Sequence, residues 1–220
     1  VNPFVRNASS CGNDGSIEIY RTGGIPPYSY SLDDVTYQTS NVFSGLAAGS
    51  YTAYVKDSKG CVGSQSATVG QGAALSLSTL VTNTSTCTFD GTIRVTVSGG
   101  IAPFTYSLDG ISYQSSNLFA GLASGPYTVY AKDSKGCTGQ TNVTINLNTI
   151  NVTAYAVAAS SCATNNGSIT LFRTGGVGPY TYSLDGNTYQ SSSLFSGLAA
   201  GTYTGYVKDS KGCIGQLEGI

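Results

Sequence analysis

The sequence predicts an all-β protein: a tandem array of three immunoglobulin-like antiparallel β-sandwich domains, with one disulfide each. Three observations carry this prediction: an internal repeat of 76 residues, period-two alternation of apolar residues without helical spacing, and two cysteines in every repeat. Tyr30-Ser31-Leu32-Asp33 returns as Tyr106-Ser107-Leu108-Asp109 and as Tyr182-Ser183-Leu184-Asp185. Lys56-Asp57-Ser58-Lys59-Gly60-Cys61 returns ending in Cys137 and in Cys213. A period of this length exceeds that of solenoid units and matches a small domain with its own core. The boundaries expected are 1–72, 73–147 and 148–220, the last repeat being shortened at its C-terminal side.

Each repeat of about 75 residues is marginal on apolar burial alone. The cysteines supply a further constraint. Cys11 and Cys61, Cys87 and Cys137, and Cys162 and Cys213 are separated by 50, 50 and 51 positions. This near-constant spacing suggests one bridge within each repeat, stabilising it by roughly 4 kcal/mol through loop closure. Persistent disulfides imply an oxidising, extracytoplasmic setting. A zinc site is disfavoured, because the chain has no histidine and no Cys-x-x-Cys pair.

The elements follow in order. In Gly15-Ser16-Ile17-Glu18-Ile19-Tyr20 the isoleucines share one face, and Ile93, Val95 and Val97, then Ile169 and Leu171, repeat the stripe. The intervening positions change freely between Glu18, Arg94 and Thr170, as a solvated face does. After a Gly-Gly pair, Tyr28, Tyr30 and Leu32 alternate along a strand that fills the sandwich core. Asp33-Asp34, Asp109-Gly110 and Asp185-Gly186 mark a turn, and a short strand carrying Tyr37, Tyr113 or Tyr189 is expected after it. Phe43 and Leu46 read as a further buried segment. Gly49 to Val55 is the clearest strand, and Tyr51 at its opening resembles the tyrosine corner of immunoglobulin-like sandwiches. A tight turn over Lys56 to Gly60 and a last strand through Ala67 and Val69 complete about seven strands. The linkers Gly70-Gln71-Gly72-Ala73 and Asn146-Leu147-Asn148 suggest limited flexing.

The ordered motifs are Cys, Asp-Gly-Ser-Ile, Gly-Gly-x-x-Pro-Tyr-x-Tyr-Ser-Leu-Asp, Tyr-Gln-x-Ser, Phe-x-Gly-Leu-x-x-Gly-x-Tyr and Lys-Asp-x-x-Gly-Cys. Together they closely resemble the SprB-type repeat of very large cell-surface proteins of Bacteroidota, among them the mobile adhesin of gliding bacteria. The resemblance spans essentially all three repeats. It implies export by the type IX secretion system, attachment at the outer surface and a long filament. Two motifs depart from the pattern: Asp90-Gly91-Thr92-Ile93 in the second repeat and Asn166-Gly167-Ser168-Ile169 in the third, with one extra residue after Cys162.

Few sites for chemistry are present. Without histidine there is no Ser-His-Asp or Cys-His arrangement, and cysteines held in bridges leave no activated thiol. No cofactor is expected, and no enzyme. Calcium is the other candidate ion, through Asp14, Asp33 and Asp57, although turn closure by these side chains is the simpler reading. An isopeptide bond at Lys56 lacks a neighbouring catalytic acid, since the only glutamates are Glu18 and Glu218. Asn7, Asn83, Asn142, Asn151 and Asn166 begin Asn-x-Ser/Thr sequons that arise readily in a chain rich in Ser and Thr. Tyr54, Tyr130 and Tyr206 recur on the strand face opposite Tyr51, Tyr127 and Tyr203, as surface contacts or as local packing. Charged residues are 10% of the chain and the net charge is −1, which excludes an electrostatic footprint for nucleic acid or anionic lipid.

The expected role is a non-enzymatic repeat segment of a secreted bacterial surface adhesin or filament, a disulfide-locked stalk in gliding or attachment. Its partners would be an external surface or polysaccharide and neighbouring repeats of the same chain, with no membrane insertion. The alternatives are a polysaccharide-binding array and an accessory region of an exported enzyme.

Overall fold

A computed structural model describes residues 1–160 and 165–220, and every regular element in them is a strand. The first repeat contributes β1 (Asn2–Arg6), β2 (Gly15–Tyr20), β3 (Ser29–Ser31), β4 (Val42–Leu46), β5 (Gly49–Lys56) and β6 (Val62–Val69). They form two three-stranded antiparallel sheets, β1-β2-β4 and β3-β5-β6, each taking strands from both halves of the repeat. This is the crossing connectivity of an immunoglobulin-like sandwich.

The alternation in the sequence sets which face is buried. Ile17 and Ile19 of β2 are fully enclosed, and Tyr30, Ala53, Val55, Ala67 and Val69 meet them from the other sheet. Val5, Tyr28, Leu32, Phe43, Leu46 and Tyr51 pack around this centre, as the period-two reading requires. Enclosing each isoleucine contributes roughly 1.5–3 kcal/mol. The expected strand carrying Tyr37 is not continuous: only a single bridge, Tyr30 to Gln38, pairs there. Its place is taken by side-chain bonding, with Asp33 Oδ1 accepting from Ser31 Oγ, Val35 N and Thr36 N. The repeat thus has six strands rather than seven.

The second repeat supplies β7 (Ser76–Thr82), β8 (Thr84–Ser85), β9 (Gly91–Ser98), β10 (Thr105–Ser107), β11 (Leu118–Leu122), β12 (Gly125–Lys132), β13 (Thr138–Ile145) and β14 (Leu147–Asn148). The third supplies β15 (Asn151–Val157), β16 (Gly167–Thr174), β17 (Thr181–Ser183), β18 (Leu194–Leu198), β19 (Gly205–Lys208) and β20 (Ile214–Leu217). The same sheet orders return, as β7-β9-β11 with β10-β12-β13 and as β15-β16-β18 with β17-β19-β20. Two compact units emerge. One holds Val1–Ser78, Val95–Asn117 and Thr128–Thr141; the other holds Thr79–Arg94, Leu118–Tyr127 and Asn142–Ile220. The second repeat therefore contributes strand segments to both.

Side chains at the sandwich ends fix the loops. Tyr51, Tyr127 and Tyr203 each donate their phenol proton to the carbonyl four residues upstream, on Ala47, Ala123 and Ala199, at 3.0 Å every time. These are the tyrosine corners that the sequence predicts. The linker after β6 is strapped down: Gly70 N–H donates to Asn7 Oδ1, Gly72 N–H to Ala8 O, and Gln71 Nε2 to Ser9 O. Asn83 plays the part of Asn7 in the next repeat, accepting from Asn146 N–H. Two of the five sequon asparagines are therefore linker clamps.

Candidate functional site

Each Lys-Asp-Ser-Lys-Gly-Cys turn is organised by its aspartate. Asp57 Oδ1 accepts from Lys59 N–H at 2.9 Å and Cys61 N–H at 3.0 Å, while Oδ2 accepts from Ile25 N–H across the loop. Asp133 and Asp209 repeat all three bonds. The Cys61 amide is the main reason that the Asp57 carboxyl is held below its usual range. The motif is thus a device for presenting a cysteine in a defined place.

In the first two repeats the first cysteine sits in a loop closed by another carboxylate. Asp14 Oδ1 accepts from Ser9 N–H at 2.6 Å, and Asp90 Oδ1 from Ser85 N–H at 2.8 Å. The Ser9 amide, then the Ser9 hydroxyl and Lys135, lower the Asp14 carboxyl to about 2. In the third repeat Asn166 Oδ1 accepts from Ser160 N–H at 2.9 Å, so the amide keeps the bond and loses the charge.

These two cysteine positions do not bridge within a repeat. Cys11 is bonded to Cys137 and Cys87 to Cys213, each over a sequence separation of 126. Cys61 is an exposed free thiol, and Cys162 lies outside the described residues. The expected Cys11 to Cys61 and Cys87 to Cys137 bridges are therefore corrected; that of Cys162 to Cys213 is too, because Cys213 is held by Cys87. The reason is the sandwich itself. The Cys11 loop joins β1 to β2 at the end where β5 begins, and Cys61 follows the turn at the end where β5 finishes. Eight strand residues at about 3.3 Å each put roughly 25 Å between the two ends, far beyond the reach of a disulfide. The turn cysteine of the following repeat meets the loop instead.

Both bridges carry the same surroundings. Lys135 Nζ lies 3.3 Å from Asp14 Oδ2, and Lys211 Nζ lies 3.6 Å from Asp90 Oδ2. Partly exposed pairs of this kind contribute at most about 1 kcal/mol, so their value is in orientation. Asp133 and Asp209 are 5% exposed, and Cys137 and Cys213 are 2% and 1% exposed. Beside each bridged turn the incoming linker lies in a groove. A Cβ at Gly100 would strike Leu75 and one at Gly176 would strike Ile150, and both glycines have positive φ. Leu75 and Ile150 are linker anchors that sequence reasoning missed; the signal was the large apolar residue that follows each linker.

Tyr54, Tyr130 and Tyr206 are half-buried on the outer sheet face, as expected. A Cβ at Gly110 would rest on the Tyr130 ring, and one at Gly186 on the Tyr206 ring, so the Asp-Gly turn folds over them. Beside them the Lys56, Lys132 and Lys208 ammonium groups sit 3.8, 4.0 and 3.6 Å from the ring centres of Tyr37, Tyr113 and Tyr189. Desolvation, then Asp34, pushes Tyr37 up to about 12. A groove of about 610 Å³ is lined by Asp109, Tyr113, Tyr130 and Gln140. Lys56, considered for an isopeptide bond, is thus engaged with an aromatic face. Asp14, Asp33 and Asp57 accept amide and hydroxyl protons in three separate loops, and among the described residues no three acidic or cysteine side chains gather as a metal site would need.

The model of the family described as the SprB repeat matches residues 9–37, 79–112 and 154–188, once in each repeat. No curated protein matches the chain. Among solved structures, the three N-terminal domains of the bacteriophage RB49 highly immunogenic outer capsid protein superpose with a TM-score of 0.53 at 15% identity, covering 98% of this chain and 93% of that one. Sidekick-1 immunoglobulin domains 1–5 give 0.36 at 14% identity over 98% and 58%. Clostridium thermocellum CbhA fibronectin(III)-like modules give 0.31 at 14% identity over 66% and 95%. The first of these likenesses is one of fold alone, and the other two are too distant to bear on it. SprB repeats occur in cell-surface proteins, and disulfides fit an extracellular setting. The chain is thus three tandem repeats with an immunoglobulin-like sandwich fold, each matched in part by the model of the SprB repeat.

Proposed function

We propose that this chain is a non-enzymatic, mechanically stable stalk segment of a bacterial surface adhesin or filament serving attachment or gliding, exported by the type IX route. One observation carries the reading: both disulfides run from one repeat to the turn of the next. At such a junction the peptide linker and a disulfide act in parallel, so separating two repeats requires breaking a covalent bond as well as a packed contact. Insertion of a protease site between Gly72 and Ala73 tests this. After cleavage the two fragments should remain one species without reductant and separate with it. Separation without reductant would remove the basis of the stalk reading.

A second reading, a polysaccharide-binding array, is favoured by the groove at Tyr113 and Tyr130 with Asp109 and Gln140 on its walls. Replacing Tyr54, Tyr130 and Tyr206 together by serine separates the two. Adhesion unchanged in a folded triple variant supports the stalk; adhesion lost in a folded variant supports sugar contact, with losses compounding across linked weak sites.

A further inference from the structure

The first repeat has the same cysteine turn as the other two, but among the described residues no cysteine loop is bonded to it. Cys137 and Cys213 are enclosed and bonded, whereas Cys61 is exposed and free. Lys135 and Lys211 each meet an aspartate of the preceding repeat, whereas Lys59 has no ion pair among the described residues. The grooves beside the bridged turns hold Leu75 and Ile150. The corresponding groove, lined by Arg21, Gly23, Gly24, Tyr28, Asp57 and Gly63, is open, with a volume of about 210 Å³.

The backbone is equally prepared. Gly100 N–H donates to Ala73 O at 3.0 Å, and Gly176 N–H to Asn148 Oδ1 at 3.2 Å. Gly24 N–H has no such acceptor among the described residues. A Cβ at Gly139 would meet both Leu75 and Leu77, while one at Gly63 meets Val1 alone, which takes the place of Leu77. The place of Leu75 is unfilled. Positive φ at Gly23 and Gly24, +84° and +81°, matches Gly99 and Gly100, so the groove has the same backbone form with and without its occupant.

We propose that this end of the first repeat is an acceptor site for the cysteine loop and linker of another SprB-type repeat, closed by a disulfide from Cys61 in the 126-residue register. The occupant fitted is a second copy of residues 1–76, whose Leu75 would fill the groove and whose Asp14 would face Lys59. The proposal is independent of what the array binds or bears, because it rests only on the repeated junction. Bond formation takes two protons and two electrons from the two thiols, and a small disulfide such as glutathione disulfide accepts them. The Cys61 thiolate attacks it and expels one glutathione thiolate; the incoming cysteine thiolate then attacks Cys61 Sγ and expels the second, leaving two glutathione molecules per bridge.

The test places a second copy of residues 1–76 directly ahead of Val1 of the full chain, so that its Leu75-Ser76 runs into Val1 as Leu75-Ser76 runs into Leu77. After oxidation in a glutathione buffer, peptide mapping should find Cys61 bonded to Cys11 of the added copy. Alkylation of native Cys61 should fall at least tenfold relative to the unextended chain. A companion variant, Cys11→Ser in the added copy alone, should leave Cys61 without a cysteine partner while Cys11–Cys137 and Cys87–Cys213 of the original chain persist, which shows that the array has folded. Cys61 remaining as reactive as in the unextended chain, or bonded to the added copy's own Cys61, would overturn the proposal.

Discussion

Cys11 of the first repeat is bonded to Cys137 of the second, with Cα atoms 5.4 Å apart, and Lys135 Nζ lies 3.3 Å from Asp14 Oδ2. Cys87 and Cys213 repeat the arrangement at 5.2 Å. Two junctions of different sequence reach one geometry, because the residues that build it recur: a carboxylate-closed loop on one side and an aspartate-centred turn on the other.

Closing a loop of this length restricts the unfolded chain by about 5 kcal/mol in the entropy model, an upper figure since the two loops overlap between Cys87 and Cys137. Paired replacement of Cys11 and Cys137 by serine should lower unfolding stability by about 2–5 kcal/mol in guanidinium titrations. Replacement of the free Cys61 by serine should change it by less than about 0.5 kcal/mol. Equal effects from the two variants would contradict the pairing.

The tyrosine corners are hydrogen bonds that can be removed at small steric cost. Tyr51→Phe and Tyr203→Phe should each cost about 1 kcal/mol, with strand content unchanged by circular dichroism. No loss at either position would mean that the phenols are idle.

Core and turn positions of similar chemistry should part widely. Ile17 is fully enclosed, and Ile17→Ala should cost about 2–5 kcal/mol. Val35, 82% exposed at the tip of a turn, should tolerate serine within about 0.5 kcal/mol. The comparison needs only thermal melts of the two variants.

The alternation of Ile17 with Ile19 and of Tyr28 with Tyr30 and Leu32 made the sandwich, its inner faces and its corners legible, because strand burial is a local property with a period of two. The bridges were not legible. In a strict repeat, a cysteine spacing of 50 inside a repeat implies a spacing of 126 to the next, so the sequence is equally compatible with both pairings. Only the distance along β5 separates them. The strand expected at Tyr37 was lost to side-chain bonding by Asp33, which depends on Ser31 and two amides at once. Leu75 and Ile150 are not legible as anchors, because in the alternation Leu75-Ser76-Leu77 and Ile150-Asn151-Val152 each reads only as the start of the strand that follows.

Acid should act at the junction through Asp14. Its folded carboxyl lies at about 2 and its unfolded one near 3.9, so its contribution is complete above the unfolded value and disappears as pH falls through the folded one. Melting temperature should therefore decline between about pH 5 and pH 2, and Asp14→Asn should flatten part of that decline, since an amide oxygen still accepts from Ser9. Asn166 already does so for Ser160 in the third repeat. An unchanged pH profile in the variant would remove Asp14 from the acid response.

The central claim is the register of the bridges, and peptide mapping of the oxidised chain by mass spectrometry without reductant tests it most directly. Peptides joining Cys11 to Cys137 and Cys87 to Cys213, with Cys61 recovered in alkylated form, are the predicted result. Peptides joining Cys11 to Cys61 and Cys87 to Cys137 would contradict it.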